Sequence, residues 1–167
     1  MGPVTVLVAA RQKTTRAACL AALAEASDVR VVAEARTAPQ VLAGVRTRRP
    51  RVVVLASPLA SSSDDRLLLD VLSAGRAPRV LVVAPRRSDD EVVTTLAHGA
   101  RGHLEPTRVR AWLAPAVRAV ARGEAWCPRA LVRTLVARLR DDASAPGATP
   151  KDTVPWSNGR RGPRRRR

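Results

Sequence analysis

Five short apolar runs punctuate the first two-thirds of the chain, and a helix-forming stretch follows each. Val4-Thr5-Val6-Leu7-Val8-Ala9 opens the series. Val29-Arg30-Val31-Val32-Ala33-Glu34, Arg51-Val52-Val53-Val54-Leu55-Ala56 and Arg79-Val80-Leu81-Val82-Val83-Ala84 continue it, and the short Gly102-His103-Leu104 closes it. β-Branched residues favour strands, and a run of them without polar alternation fits a strand buried on both faces. Strands that alternate with helices predict a parallel sheet covered by helices on both sides. Right-handed crossovers leave few topologies, and strand order 2-1-3-4-5 is the favoured one.

The segments between the runs carry helix signals. Thr14 to Ala26 is rich in Ala and Leu, two of the best helix formers. Thr37-Ala38-Pro39-Gln40 has capping-box spacing, and Ser88-Asp89-Asp90-Glu91 has it more clearly. Gly99 suits the stop of the fourth helix. Asp64 and Asp65, after Ser61 to Ser63, read as acidic first-turn residues of a third helix that ends near Gly75. A fifth helix is expected over Thr107 to Gly123, irregular near Pro115. Pro128 to Arg140 reads as a further amphipathic helix, with Leu131, Leu135 and Leu139 on one stripe.

After Arg140 the character changes. Asp141 to Pro155 lacks apolar periodicity, and Gly159 to Arg167 is nearly pure Arg, Gly and Pro. Such a segment buries too little apolar area to offset its ordering entropy and is expected to be disordered. The expected organisation is a domain over 1–124, a linker helix over 125–140 and a tail over 141–167.

The core has to be aliphatic, because the 167 residues hold 46% apolar side chains but only 2% aromatics, without Phe or Tyr. Net charge is +16 and rests on arginine, with Lys13 and Lys151 the sole lysines. A GC-rich coding bias would produce this, and so would selection for an anionic partner. In either case the field attracts nucleic acid or anionic surfaces. Cys19 and Cys127 lie far apart, without zinc-site spacing, and read as reduced thiols. No run approaches the ~20 apolar residues of a membrane span. The expectation is a cytoplasmic chain without a membrane, metal or cofactor. The phosphate loop, the dinucleotide fingerprint and the G-x-S-x-G elbow are all absent from the sequence, so an enzyme is not expected.

Several segments together resemble the receiver domain of response regulators, in particular the type that carries a LuxR-type DNA-binding domain (NarL/FixJ). Val4 to Ala9 resembles the opening strand, Val31-Val32-Ala33-Glu34-Ala35 the second strand, and Arg49-Pro50-Arg51-Val52-Val53-Val54-Leu55 the approach to the phosphoacceptor strand. Ala97-His98-Gly99-Ala100-Arg101-Gly102-His103-Leu104 resembles the family's A-x-G-A-x-G-Y-L segment. Ala116 to Trp126 resembles its I-R-A-V-A-x-G-E-x-W segment. The similarity spans about residues 4–139 and implies a flavodoxin-like (βα)5 fold for bacterial signal transduction or transcription regulation.

The departures bear on mechanism. The resemblance puts Ala10 and Arg11 where receivers hold Mg²⁺ with acidic residues, and Ala56 at the phosphoacceptor. Ala84 takes the place of the Ser/Thr after the fourth strand, and His103 that of the aromatic switch residue. Pro106, beside Glu105, stands near the place of the lysine, and Ser57-Pro58-Leu59-Ala60-Ser61 replaces the family's M-P-x-x-D-G loop. Phosphoryl transfer to a side chain needs a nucleophilic oxygen, and Mg²⁺ needs oxygen ligands. A methyl group supplies neither, so the usual phosphorylation is not expected.

The expected function is therefore a phosphorylation-independent receiver that works through a protein partner or a homodimer. Candidate interface residues are Trp112, Leu131, Leu135 and Leu139. For the leucines, packing on the receiver and a dimer seam are both open. Arg11 is read either as a permanent cation in the Mg²⁺ place or as a side chain reaching solvent. The alternative function is DNA binding, through Arg160, Arg161 and Arg164, Arg165, Arg166 and Arg167, or through a helix-turn-helix that this chain would have lost by truncation or frameshift.

Overall fold

A computed structural model of the protein describes residues 2–59, 65–74, 77–86, 88–128, 131 and 136. Five strands run β1 (Val4–Ala9), β2 (Val29–Ala35), β3 (Val52–Ala56), β4 (Arg79–Val83) and β5 (Gly102–Leu104). All neighbours are parallel, and the order is β2-β1-β3-β4-β5. Helices α1 (Lys13–Ala24), α2 (Ala38–Arg48), α3 (Asp65–Ser73), α4 (Asp89–Ala97) and α5 (Val109–Arg122) connect or follow them. This is the flavodoxin-like arrangement that the alternation predicts.

Because side chains alternate along a strand, each central strand feeds two cores. Val6, Val8, Val52, Val54, Leu81 and Val83 pack with Leu23 of α1 and with Leu113, Val117 and Val120 of α5. Leu7, Val53, Leu55, Val80 and Val82 pack with Val41 and Val45 of α2 and with Leu67, Leu68 and Val71 of α3. Every residue of β3 is buried, as its unbroken apolar run requires.

Local details differ from the sequence expectations. The first helix stops at Ala24, two residues short of Ala26. Ser88 caps α4 by accepting from the Glu91 amide at 3.2 Å, but Thr37 makes no side-chain cap. Gln40 instead accepts from the Arg36 amide at 2.8 Å, one residue outside the box. A 3₁₀ turn over Pro106–Arg108 leads into α5, so the start at Thr107 shifts to Val109. The helix then runs unbroken through Pro115, because its buried face of Leu113, Ala116, Val117 and Val120 holds it against the sheet.

The chain after α5 returns to the sheet. Trp126 forms a parallel bridge with Gly102, accepts from the His103 amide at 2.8 Å and donates to the Arg101 carbonyl at 2.9 Å. It thereby covers the backbone edge of β5, which an open sheet leaves unpaired. Only glycine fits opposite it, since a Cβ on Gly102 would stand 2.8 Å from the Trp126 carbonyl oxygen and 2.9 Å from Leu81 Cδ1. Beyond this strap Leu131 and Val136 are helical. Leu131 is fully buried against Val92 and Val93 of α4, which is the packing reading of that residue. Leu135, Leu139 and the arginine tail lie outside the described residues.

Candidate functional site

In a parallel α/β sheet the ligand cleft lies beyond the carboxyl ends of the strands. Here β1, β3 and β4 bring Ala10, Ala56 and Ala84 to that end. Ala10 and Ala56 are completely buried and Ala84 half-buried. Backbone bonds tie each mouth to a neighbouring strand. The Ala10 amide donates to Ala35 at 3.0 Å, Ser57 to Val83 at 2.8 Å, and Ala84 to Leu104 at 3.1 Å. A cis Ser57–Pro58 bond follows Ala56 directly. Ala10 and Ala56, which the resemblance aligns with part of the acidic pocket and with the phosphoacceptor, thus lie at one end of the sheet as buried methyl groups.

The buried cation at this end is a residue that the sequence reading did not single out. Arg11 is exposed. Arg16, in the first turns of α1, is 6% exposed. Its Nη1 donates to the Ala10 carbonyl at 3.0 Å, and its Nε to Glu34 Oε2 at 3.2 Å. One guanidinium therefore ties the β1–α1 turn to the end of β2. Sequence reasoning missed it, although the signal was present: Arg16 falls on the same helical stripe as Cys19 and Leu23, which are buried.

Mg²⁺ does not fit this donor set. It requires several oxygens around it, at least one from a carboxylate in such sites. The side chains of Ala10 and Ala56 offer none, and the Ala10 carbonyl already accepts from a cation. Among the described residues no group of three His, Cys, Asp or Glu could hold a metal ion.

His103, at the position the resemblance aligns with the aromatic switch residue, lies in β5 and is 5% exposed. Its Nδ1 has no hydrogen-bond partner. Burial lowers its pKa from the ordinary value; Glu105 and Glu91 oppose that and Arg86 adds to it. The residue lines a cleft of about 610 Å³ with Arg86, Trp112, Trp126 and Cys127. Trp112 is 45% exposed, with its ring centroid 6.0 Å from that of Trp126. Pro106 is exposed at the start of the 3₁₀ turn, and Glu105 is half-buried beside it. Burial also pushes the Cys19 thiol up to about 11, so it stays protonated and inert.

No family model matches the chain, and neither does any curated protein. Solved structures do. The receiver domain of the putative response regulator NarL from Mycobacterium tuberculosis is 25% identical. The match covers 74% of this chain and 100% of that one, with a TM-score of 0.67. A LuxR-family two-component response regulator from Aurantimonas is 16% identical over 83% of this chain and 99% of that one, with a TM-score of 0.71. The isolated receiver domain of RcsB from Salmonella enterica serovar Typhimurium is 15% identical over 80% of this chain and 98% of that one, with a TM-score of 0.72. No helix among the described residues is long and apolar enough to cross a membrane. The described strands and helices, their order and these matches agree: the chain has the fold of response-regulator receiver domains.

Proposed function

We propose that this receiver works without phosphorylation, as a protein-binding module in bacterial signalling or transcription control. The observation that carries the reading is the strand mouth itself, where Ala10 and Ala56 are buried methyl groups and Arg16 occupies the Ala10 carbonyl. A phosphoryl group would find no nucleophilic oxygen at Ala56 and no metal to spread its charge. The domain would then hold one state, fixed by packing.

The contact surface follows from what is left uncovered. Leu131 already covers Val92 and Val93 of α4, so that part of α4 is not free for a partner. Trp112 on α5 stays half-exposed beside Trp126 and the His103 cleft. Large aromatics that stay partly exposed are typical interface anchors. A protein partner or a second copy would seat there. Leu135 and Leu139 would extend the contact.

Incubation with acetyl phosphate and Mg²⁺, followed by intact-mass measurement and sedimentation, tests the reading. We expect unchanged mass and unchanged oligomeric state. A stable phosphoryl adduct would overturn it.

A second reading, nucleic-acid binding through the arginine tail, draws support from the net charge of +16 and the run Arg164 to Arg167. Removing residues 156–167 is expected to abolish salt-sensitive DNA binding by the tail. Undiminished binding by the shortened protein would reject the tail as its cause.

A further inference from the structure

The opposite end of the sheet, where the strands begin, carries a second feature. A groove of about 550 Å³ opens there, lined by Arg49, Arg51, Arg79 and Arg101, with Pro50, Pro78, Leu72 and Ala77 between them. Arg49 follows α2, Arg51 precedes β3, Arg79 opens β4, and Arg101 precedes β5. The topology thus brings four guanidinium groups from two loops and a strand end to one rim. No carboxylate lines the groove, and among the described residues none of the four is in an ion pair.

Two ordinary explanations fall short. Helix C-termini end at this pole and attract cations, but each carries only about half a negative charge. That explanation fits Arg49, the C-cap of α2, whose last turn also holds Arg46 and Arg48, but neither α3 nor α4 has a basic residue in its last turn. Three of the four arginines stand at strand starts. Structural anchoring accounts for Arg79 alone, whose Nη1 donates to the Ala121 carbonyl at 2.9 Å. Arg49, Arg51 and Arg101 are exposed. Like charges gathered without counter-charges destabilise a fold slightly and attract a polyanion.

We propose that this groove binds the phosphate backbone of a nucleic-acid duplex. The open rim of exposed guanidiniums suits a polymer that passes across it, whereas a small anion would need buried donors around it. Arginine forks match phosphate oxygens. The lining has no aromatic ring on which unpaired bases could stack, so single strands gain little. The side chains between the arginines are Pro, Leu and Ala, which offer nothing to hydrogen-bond base edges. Binding is therefore sequence-independent and purely electrostatic. The inference rests neither on the tail nor on the inert strand mouths.

The experiment uses the full chain, so the tail contributes equally to every variant. A labelled DNA duplex of about 20 base pairs is titrated at several salt concentrations. Removing two phosphate contacts lowers the magnitude of the slope of log K against log salt by about 2. We expect that change for R51A/R101A, with recovery in R51K/R101K, which restores the charges. A control, R36A/R110A, removes two exposed arginines that do not line the groove and is expected to keep the original slope. Circular dichroism checks that all three variants fold. An unchanged slope in R51A/R101A overturns the proposal. So does an equal change in the control, which would reduce the effect to net charge. Competition by polyglutamate as strong as by unlabelled duplex also overturns it, because the groove would then accept any polyanion.

Discussion

The two ends of the sheet use arginine in opposite ways. At the carboxyl end, Arg16 is buried and bonded to the Ala10 carbonyl and to Glu34. At the amino end, Arg49, Arg51 and Arg101 are exposed and unpaired among the described residues. A buried charge persists only when its donors are satisfied, so Arg16 is a structural part. An exposed, unpaired guanidinium adds almost nothing to stability, so its presence in a cluster points outward, to a ligand. The comparison also separates a pole whose reactive oxygens are missing from one that is charged and open. In a receiver the first of these would be the reactive one.

The largest effect that tests this contrast belongs to Arg16→Met. The methionine keeps the apolar stem but strands the buried Ala10 carbonyl. An unsatisfied buried acceptor costs about 1–3 kcal/mol, and the β1–α1 turn loses its tie to β2. We expect a loss of about 2 kcal/mol in urea unfolding, whereas R51A/R101A stays within about 0.5 kcal/mol of the parent. Equal losses at both poles would break the comparison.

A somewhat smaller loss is expected at the Trp126 strap. Gly102→Ala places a methyl group within 3 Å of the Trp126 backbone and Leu81. Overpacking of this kind costs about 1–3 kcal/mol. The nearest neighbour is a backbone oxygen, so the strap itself has to move, and we expect a loss of about 1 kcal/mol. The shift would also widen the cleft that holds His103 and Trp112, and near-ultraviolet dichroism of the Trp112–Trp126 pair reports it. Unaltered dichroism together with unaltered stability would show that the strap is not what closes that edge.

Much of this architecture is legible in the sequence because its signals are local. The five apolar runs specify the strands, the Ser88 box specifies the start of α4, and the shortage of aromatics specifies a Val/Leu core. The lack of side-chain oxygens at the strand mouth is equally legible, since it depends on residue type alone: alanine at positions 10 and 56 has a methyl side chain wherever it points. What escapes is pairing across long separations. Arg16 and Glu34 are 18 residues apart, and nothing in either segment names the other. The four groove arginines are spread over positions 49 to 101 and meet only through the strand order. Pro115 escapes for a related reason: its local preference breaks a helix, but the buried face of α5 outweighs it. The strap at Trp126 was visible as a family-like segment, but its bridge to Gly102 was not.

The smallest of these effects is a pH dependence, and it probes the same question of whether a polar group at the carboxyl end is held by structure or by function. Burial keeps the folded-state pKa of His103 below its ordinary value of 6.5. In the unfolded chain the imidazole takes up a proton as pH falls through that ordinary value, while in the folded chain it stays neutral until a lower pH. Between the two values the unfolded state binds more protons, so stability rises with pH there. The contribution is fully present above pH 6.5 and is lost as pH falls through the folded value. His103→Leu removes both the titration and the unpaired Nδ1. The variant is therefore expected to show a smaller difference in urea midpoint between about pH 5 and pH 7 than the parent. Its midpoint at the acidic end should equal or exceed the parent's. If the variant keeps the parent's full difference, the histidine is hydrated in the folded protein, and the cleft behind Trp112 is wetter than its lining implies.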